Sequence, residues 1–128
     1  MALVKDAETV AQDAGRVGDM VVNTLMAYNP STKVWVAFVD ETGTNGTQFP
    51  RGILMRTLTE AEIKAGDVAD VPILVGEAIV DLAQLVIENS KTLDTVINSP
   101  AGINIRVEDY LRLLNIYMES VIDTTAAA

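Results

Sequence analysis

The stretch Val71-Pro72-Ile73-Leu74-Val75-Gly76-Glu77-Ala78-Ile79-Val80-Asp81 decides how this chain folds. It is apolar and β-branched, which suits a pleated, half-buried surface. Glu77 and Asp81 interrupt it, so it is no membrane-spanning run. Pro72 is tolerated only at an edge or at the first position of a strand, and Gly76 marks a bulge or bend. Earlier in the chain, Gly52-Ile53-Leu54-Met55 reads as a strand able to lie beside it. Neither stretch carries a catalytic signature. Both point to a small β-rich module that works through its surfaces.

Going back toward the N-terminus, the strand extends over Gly52 to Leu58, and Asp40 to Pro50 is a Gly/Thr/Asn loop. Asp40, Glu41 and Asn45 lack the alternating carboxylates and closing Glu of a calcium loop. Lys33 to Asp40 alternates, with Val34, Val36 and Phe38 on one side and Trp35, Ala37 and Val39 on the other. Both sides are apolar, which predicts a strand covered on both faces. Trp35 reads as a packing anchor rather than a ligand platform. Tyr28 to Thr32 is a turn around Pro30, and Met20 to Ala27 is the partner strand. Residues 1–19 are polar. Val4, Ala7, Val10, Ala11 and Ala14 have helical spacing but little to bury, so the segment is expected to be an arm that orders on a partner, or else a frayed terminus.

Toward the C-terminus, Thr59 and Glu62 form a capping box that opens a short helix ending at Gly66. Leu82, Leu85, Val86, Leu93, Val96 and Ile97 fit a helical face broken near Asn89-Ser90, with Ser90 capping a helix to Asn98. Ile103 to Arg106 is a short strand. Val107, Tyr110, Leu111, Leu114, Tyr117, Met118, Val121 and Ile122 keep the three-and-four spacing of a helix over 107–122, about 24 Å long. Leu113 and Ile116 widen its apolar face beyond what a small domain needs. Asp123 to Ala128 is a tail. The expected class is α+β: a small β-rich domain with a β-hairpin, barrel-like core, short helices and a C-terminal helix. An arm at 1–19, a domain at 20–122 and a tail at 123–128 divide it.

The 128-residue chain is 49% apolar with a net charge of −9, ordinary for one folded domain. That charge argues against a direct nucleic-acid partner, since phosphate binding needs clustered Lys and Arg. The chain has no Cys and no His, which removes disulfides, thiolate nucleophiles, the usual general base near neutral pH and the commonest metal ligand. No phosphate-binding glycine loop or nucleophile elbow is present. The pairs Asp67 with Asp70, Glu77 with Asp81 and Glu108 with Asp109 are what eighteen acids on a solvated surface produce by chance. The expectations are no catalytic residues, no cofactor or metal, no small-molecule substrate, no membrane association and no secretory signal.

The hairpin with Trp35, the Gly/Thr/Asn loop, Arg51-Gly52-Ile53-Leu54-Met55, a spacer with Gly66-Asp67 and Val71-Pro72-Ile73-Leu74-Val75-Gly76-Glu77-Ala78 follow one another in an order that resembles the lambda-type head decoration proteins of tailed bacteriophages. Gly102-Ile103-Asn104-Ile105 would be that family's late Gly-Ile strand, and the resemblance covers about Met20 to Arg106. The long C-terminal helix departs from the pattern. The resemblance implies a non-enzymatic homotrimer on the outer surface of the expanded virion head, clamping the major capsid protein against DNA pressure. It implies an N-terminal arm that orders on the shell; Leu3, Val4, Val10 and Val17 are its candidate contacts. Trp35, Tyr110, Leu113, Leu114, Ile116 and Tyr117 are candidates for the trimer or partner interface. A different class remains open: a small acidic adaptor that docks through its C-terminal helix.

Overall fold

In the computed structural model, which describes residues 3–43, 45–98 and 104–119, five strands close into a barrel. The elements run β1 (Leu3–Val10), β2 (Leu25–Asn29), β3 (Val34–Ala37), β4 (Pro50–Leu54), α1 (Glu60–Ala65), β5 (Val68–Gly76), β6 (Ala78–Asp81), β7 (Val96–Asn98), β8 (Asn104–Arg106), α2 (Val107–Leu113) and β9 (Ile116–Glu119). The barrel order is β1-β3-β2-β4-β5, with β5 returning to β1. A parallel ribbon β6-β9 and a hairpin β7-β8 stand outside it. The small β-rich α+β class is therefore the observed one.

The two stretches that opened the sequence reading lie side by side, Ile53 opposite Leu74 and Leu54 opposite Ile73. Period-two alternation then sorts their side chains onto two faces. Val10, Met26, Trp35, Leu54, Val71 and Ile73, drawn from all five barrel strands, form one buried cluster inside the barrel. Met20, Leu58 and Ile63 join that cluster. Leu25, Ala27, Phe38, Ile53 and Leu74 belong to a second cluster outside the barrel, completed by Ile97, Val107, Leu111, Ile116 and Met118. The sheet is thus covered on both faces, as the apolar character of both sides of Lys33–Asp40 predicts.

Gly52 makes the inner packing possible. A Cβ there would lie 2.6 Å from Ile73 Cγ2, 2.9 Å from the Leu74 carbonyl oxygen and 3.0 Å from Trp35 Cζ3. Only a residue without a side chain lets the indole and β5 approach β4 this closely. The break after β5 falls at Glu77, not at Gly76. Glu77 adopts φ 52 and ends the strand, whereas Gly76 serves close approach, since a Cβ on it would sit 3.0 Å from the Leu114 carbonyl oxygen.

Helix α1 forms as expected. Thr59 Oγ1 accepts from the Glu62 N–H, and the Glu62 carboxylate accepts from the Thr59 N–H. The backbone donor of Thr59 holds the Glu62 carboxyl below its ordinary 4.5. A depressed carboxyl stabilises the fold above that value and loses this contribution as pH falls through its folded one. Thr59→Ala is expected to lower stability by about 1 kcal/mol. Glu62→Gln should destabilise at neutral pH, and the difference should shrink as pH is lowered through the acid range; urea midpoints across a pH series check both variants.

Several expectations are corrected. Residues 3–10 form no helix and no free arm: β1 pairs antiparallel with β5 from Leu3 opposite Gly76 to Val10 opposite Val68, through three register shifts. The backbone ladder supplies what its small side chains do not. The strand expected over Met20–Ala27 is divided by a turn in which Asn23 has φ 76; Met20 bridges to Leu58, and β2 begins at Leu25. The strand from Gly52 to Leu58 is shorter, as β4. No helix occupies 82–98. Asn89 and Ser90 both have φ 59, and the chain continues through turns into β7, a strand favoured by its β-branched residues.

The expected helix 107–122 stops at Leu113. Asn115, with φ 60, takes the left-handed position after the cap that Asn tolerates, and the Leu114 and Asn115 N–H groups close onto the Leu111 and Arg112 carbonyls. Ile116 to Glu119 then alternates buried and exposed as β9. The expected helix beyond Glu119, the tail 123–128, Gly102 and Ile103 lie outside the described residues.

Candidate interface

The outer ribbon presents the most exposed apolar groups that share one element pair. β6 and β9 run parallel with Ala78 opposite Ile116, Ile79 opposite Tyr117, Val80 opposite Met118 and Asp81 opposite Glu119. Ile116 and Met118 are buried against the outer core, with Ala78 and Val80 packed beside them. Alternation therefore turns Ile79 (66% exposed) and Tyr117 (42%) together to the opposite face. Asp81 and Glu119 share that face one step further on, and like charges directly opposite repel. Among the described residues the ribbon has no third strand, so both its edges carry unpaired backbone groups. Leu113, 70% exposed, closes α2 just before the ribbon strand.

The sequence candidates scatter relative to this surface. Leu113 and Tyr117 are exposed and stand near or on it. Leu114 and Tyr110 are half-buried against the outer core, and the Tyr110 ring stacks on Phe49 with centroids 5.2 Å apart. Trp35 and Ile116 are interior, so neither offers an apolar face to a neighbouring subunit: burial against the chain's own core is what their apolar bulk does. On the N-terminal side, Leu3 and Val4 are exposed on β1 and Val17 is almost wholly exposed, but Val10 is buried opposite Trp35. These four residues do not form one patch. Ile79 was missed because its direction depends on the Glu77 turn, which resets the alternation; the Gly76-Glu77 pair is the only signal the sequence offers.

The segment after β1 is tied to the body rather than free. Gln12 donates its N–H to Asp67 Oδ1 at 2.7 Å and its side-chain amide to the Lys64 carbonyl. Gly18 donates to Glu60. Arg16 forms a two-pronged pair with Glu88, 2.6 and 2.5 Å, and both side chains are largely buried. The Glu88 hydrogen bond raises the Arg16 pKa, so the guanidinium is charged throughout the accessible range. These contacts fix Ala11–Asp19 across the barrel end near α1.

The acids are engaged structurally. Asp40 accepts from the Thr42 N–H and hydroxyl, and the hydroxyl bond is the main cause of its lowered pKa. Glu41 pairs with Lys91 at 2.7 Å. Glu108 and Asp109 pair with Arg106 and Arg112. Among the described residues no group of three or more acids is placed to hold a metal ion, and no helix is long and apolar enough to cross a membrane. No family model matches the chain, and no curated protein matches it.

Proposed function

We propose that the protein is a structural virion component, a capsid decoration protein that binds the outer surface of an expanded bacteriophage head as a homotrimer. It stabilises the shell through contacts with the major capsid protein. The observation that carries this reading is the adjacency of the two stretches on which the resemblance rests: Ile53 and Leu54 of β4 lie opposite Leu74 and Ile73 of β5 as neighbouring strands of a closed barrel. The exposed face of the outer ribbon, with Ile79, Tyr117 and Leu113, supports it by offering apolar area to a neighbouring subunit. The net charge of −9 suits a protein that stays soluble at the high copy number a shell requires. In this reading the protein carries out no chemistry and needs no cofactor.

The adaptor reading loses its docking element, because α2 spans seven residues and turns Val107 and Leu111 into the core. Multi-angle light scattering combined with co-sedimentation on expanded, DNA-free phage heads tests the proposal. A trimer that pellets with heads and protects them from thermal or chelator-induced disruption is the expected result. A monomer at every concentration, absent from the pellet, overturns it. Ile79→Asp should reduce trimer or head binding at least tenfold while leaving thermal unfolding unchanged, because the side chain stands in solvent.

A further inference from the structure

At the end of the barrel where β2 and β5 finish and β3 and β4 begin, a recess of about 310 Å³ opens. It is walled by every barrel strand: Lys5 and Glu8 from β1, Tyr28 from β2, Trp35 from β3, Arg51 from β4 and Val75 from β5. Mouths of small barrels are common ligand sites because the strands converge polar and apolar groups on one hollow.

Two observations at this recess point to a missing acceptor. The first is Arg51. Arg16, Arg56, Arg106 and Arg112 each pair with a carboxylate. Arg51, alone among the described arginines, has no carboxylate of the described residues within ion-pair distance, in a chain with twice as many acids as bases. It lies instead over the Tyr28 ring, 5.7 Å from the centroid, and its exposed side chain donates to no acceptor among the described residues. The second is Trp35. The side chain is 4% exposed, lines the recess, and its buried indole N–H has no hydrogen-bond partner. A buried donor without an acceptor is costly, and it belongs to a residue of the recess wall.

We propose that this barrel end binds a carboxylate carried on a polypeptide side chain. Arg51 supplies the planar fork that matches two carboxylate oxygens. Lys5 adds a second positive charge; its contact with Glu8 is 4.0 Å long and its own side chain is mostly exposed, so it is free to turn to a ligand. Tyr28 and Val75 provide an apolar wall for the stem of an incoming side chain. Glu8 is the one acid on the rim, and it discriminates against doubly charged phosphate while tolerating a single carboxylate. The site is independent of the capsid reading, and its failure leaves the head-binding experiment untouched.

Trp35 is the single tryptophan of the chain, so its indole N–H is an isolated reporter. The test titrates the full-length ¹⁵N-labelled protein with N-acetyl-glutamate N-methylamide, and in parallel with the glutamine analogue and inorganic phosphate. The expected result is a saturable shift of the Trp35 indole resonance with the glutamate compound alone. Arg51→Gln should weaken it at least tenfold, and Lys5→Gln should weaken it severalfold. Arg56→Gln, which removes the guanidinium paired with Glu62, should leave it unchanged. Both recess substitutions are at exposed side chains, and unchanged thermal unfolding verifies that they fold. No saturable shift, an equal shift with glutamine or phosphate, or full binding by Arg51→Gln overturns the proposal.

Discussion

A chain lacking residues 2–10 is expected to lose cooperative unfolding altogether. β1 gives the barrel its closing partner: it carries the ladder to β5, and the Ala11 N–H donates to the Trp35 carbonyl at 2.9 Å where the strand meets β3. Without it, β3 and β5 become bare edges and the inner cluster loses Val10, which is buried opposite Trp35. The opened lumen would expose Trp35, Val71 and Ile73 to water. At roughly 25 cal/mol per Å² of apolar surface, several such side chains amount to most of the 5–15 kcal/mol that a domain of this size commands. Heating scans and near-ultraviolet circular dichroism of Trp35 provide the measurement. A truncated chain with the same transition and the same aromatic signal would show β1 to be an accessory, and would restore the expectation of a dispensable arm.

Trp35→Ala is expected to lower stability by about 3–5 kcal/mol, the usual cost of removing a large aromatic from a core that cannot collapse around the void. The void would open between Tyr28, whose ring lies 5.2 Å from the indole, and Gly52, where no Cβ exists to fill it. Trp35→Phe should cost far less, because it removes the indole N–H that has no acceptor together with the bulk. Urea unfolding followed by far-ultraviolet circular dichroism separates the two. Equal losses in both variants would mean that the N–H makes a bond in solution, to water or to a ligand.

How far the sequence reached depended on how local each signal was. The capping box at Thr59 and Glu62 needs four residues and nothing else, and it formed. The double-faced alternation of Lys33–Asp40 and the pairing of Gly52–Leu54 with Ile73–Leu74 were legible because burial on both sides of a sheet leaves apolar residues at every position. β1 was not legible. Its Leu3-to-Thr9 side chains are mostly exposed, and its conformation is imposed by the β5 backbone, which no pattern in residues 3–10 announces. The segment after Leu82 spaced its apolar residues like a helix while crossing the outer face of the barrel in turns; the left-handed Asn89 and Ser90 decided the matter.

α2 was read too long for a related reason. The three-and-four spacing of Leu114, Tyr117 and Met118 also contains the two-residue alternation of Ile116 and Met118, and the two periods separate only if Asn115 is taken as a stop. For the candidate interface, Leu113 was visible as an apolar residue beyond what a helix face needs, and Tyr117 as part of the expected helical stripe. Trp35 and Ile116 were claimed by the core instead. Ile79 depends on a positive φ at a glutamate, which side-chain chemistry does not foretell.

The pairing of β1 with β5 also sets the order of events during synthesis. β1 is made well before its ladder partner Val68–Gly76, so it must remain unpaired while the hairpin β2-β3 and the strand β4 are already able to associate. Closing so long a loop is the slow, entropically expensive step in a fold of this topology. The polar character of Lys5, Asp6 and Glu8 then has a use that the finished barrel does not reveal. It keeps a waiting strand charged and soluble, and discourages it from pairing with another nascent copy before its own partner arrives.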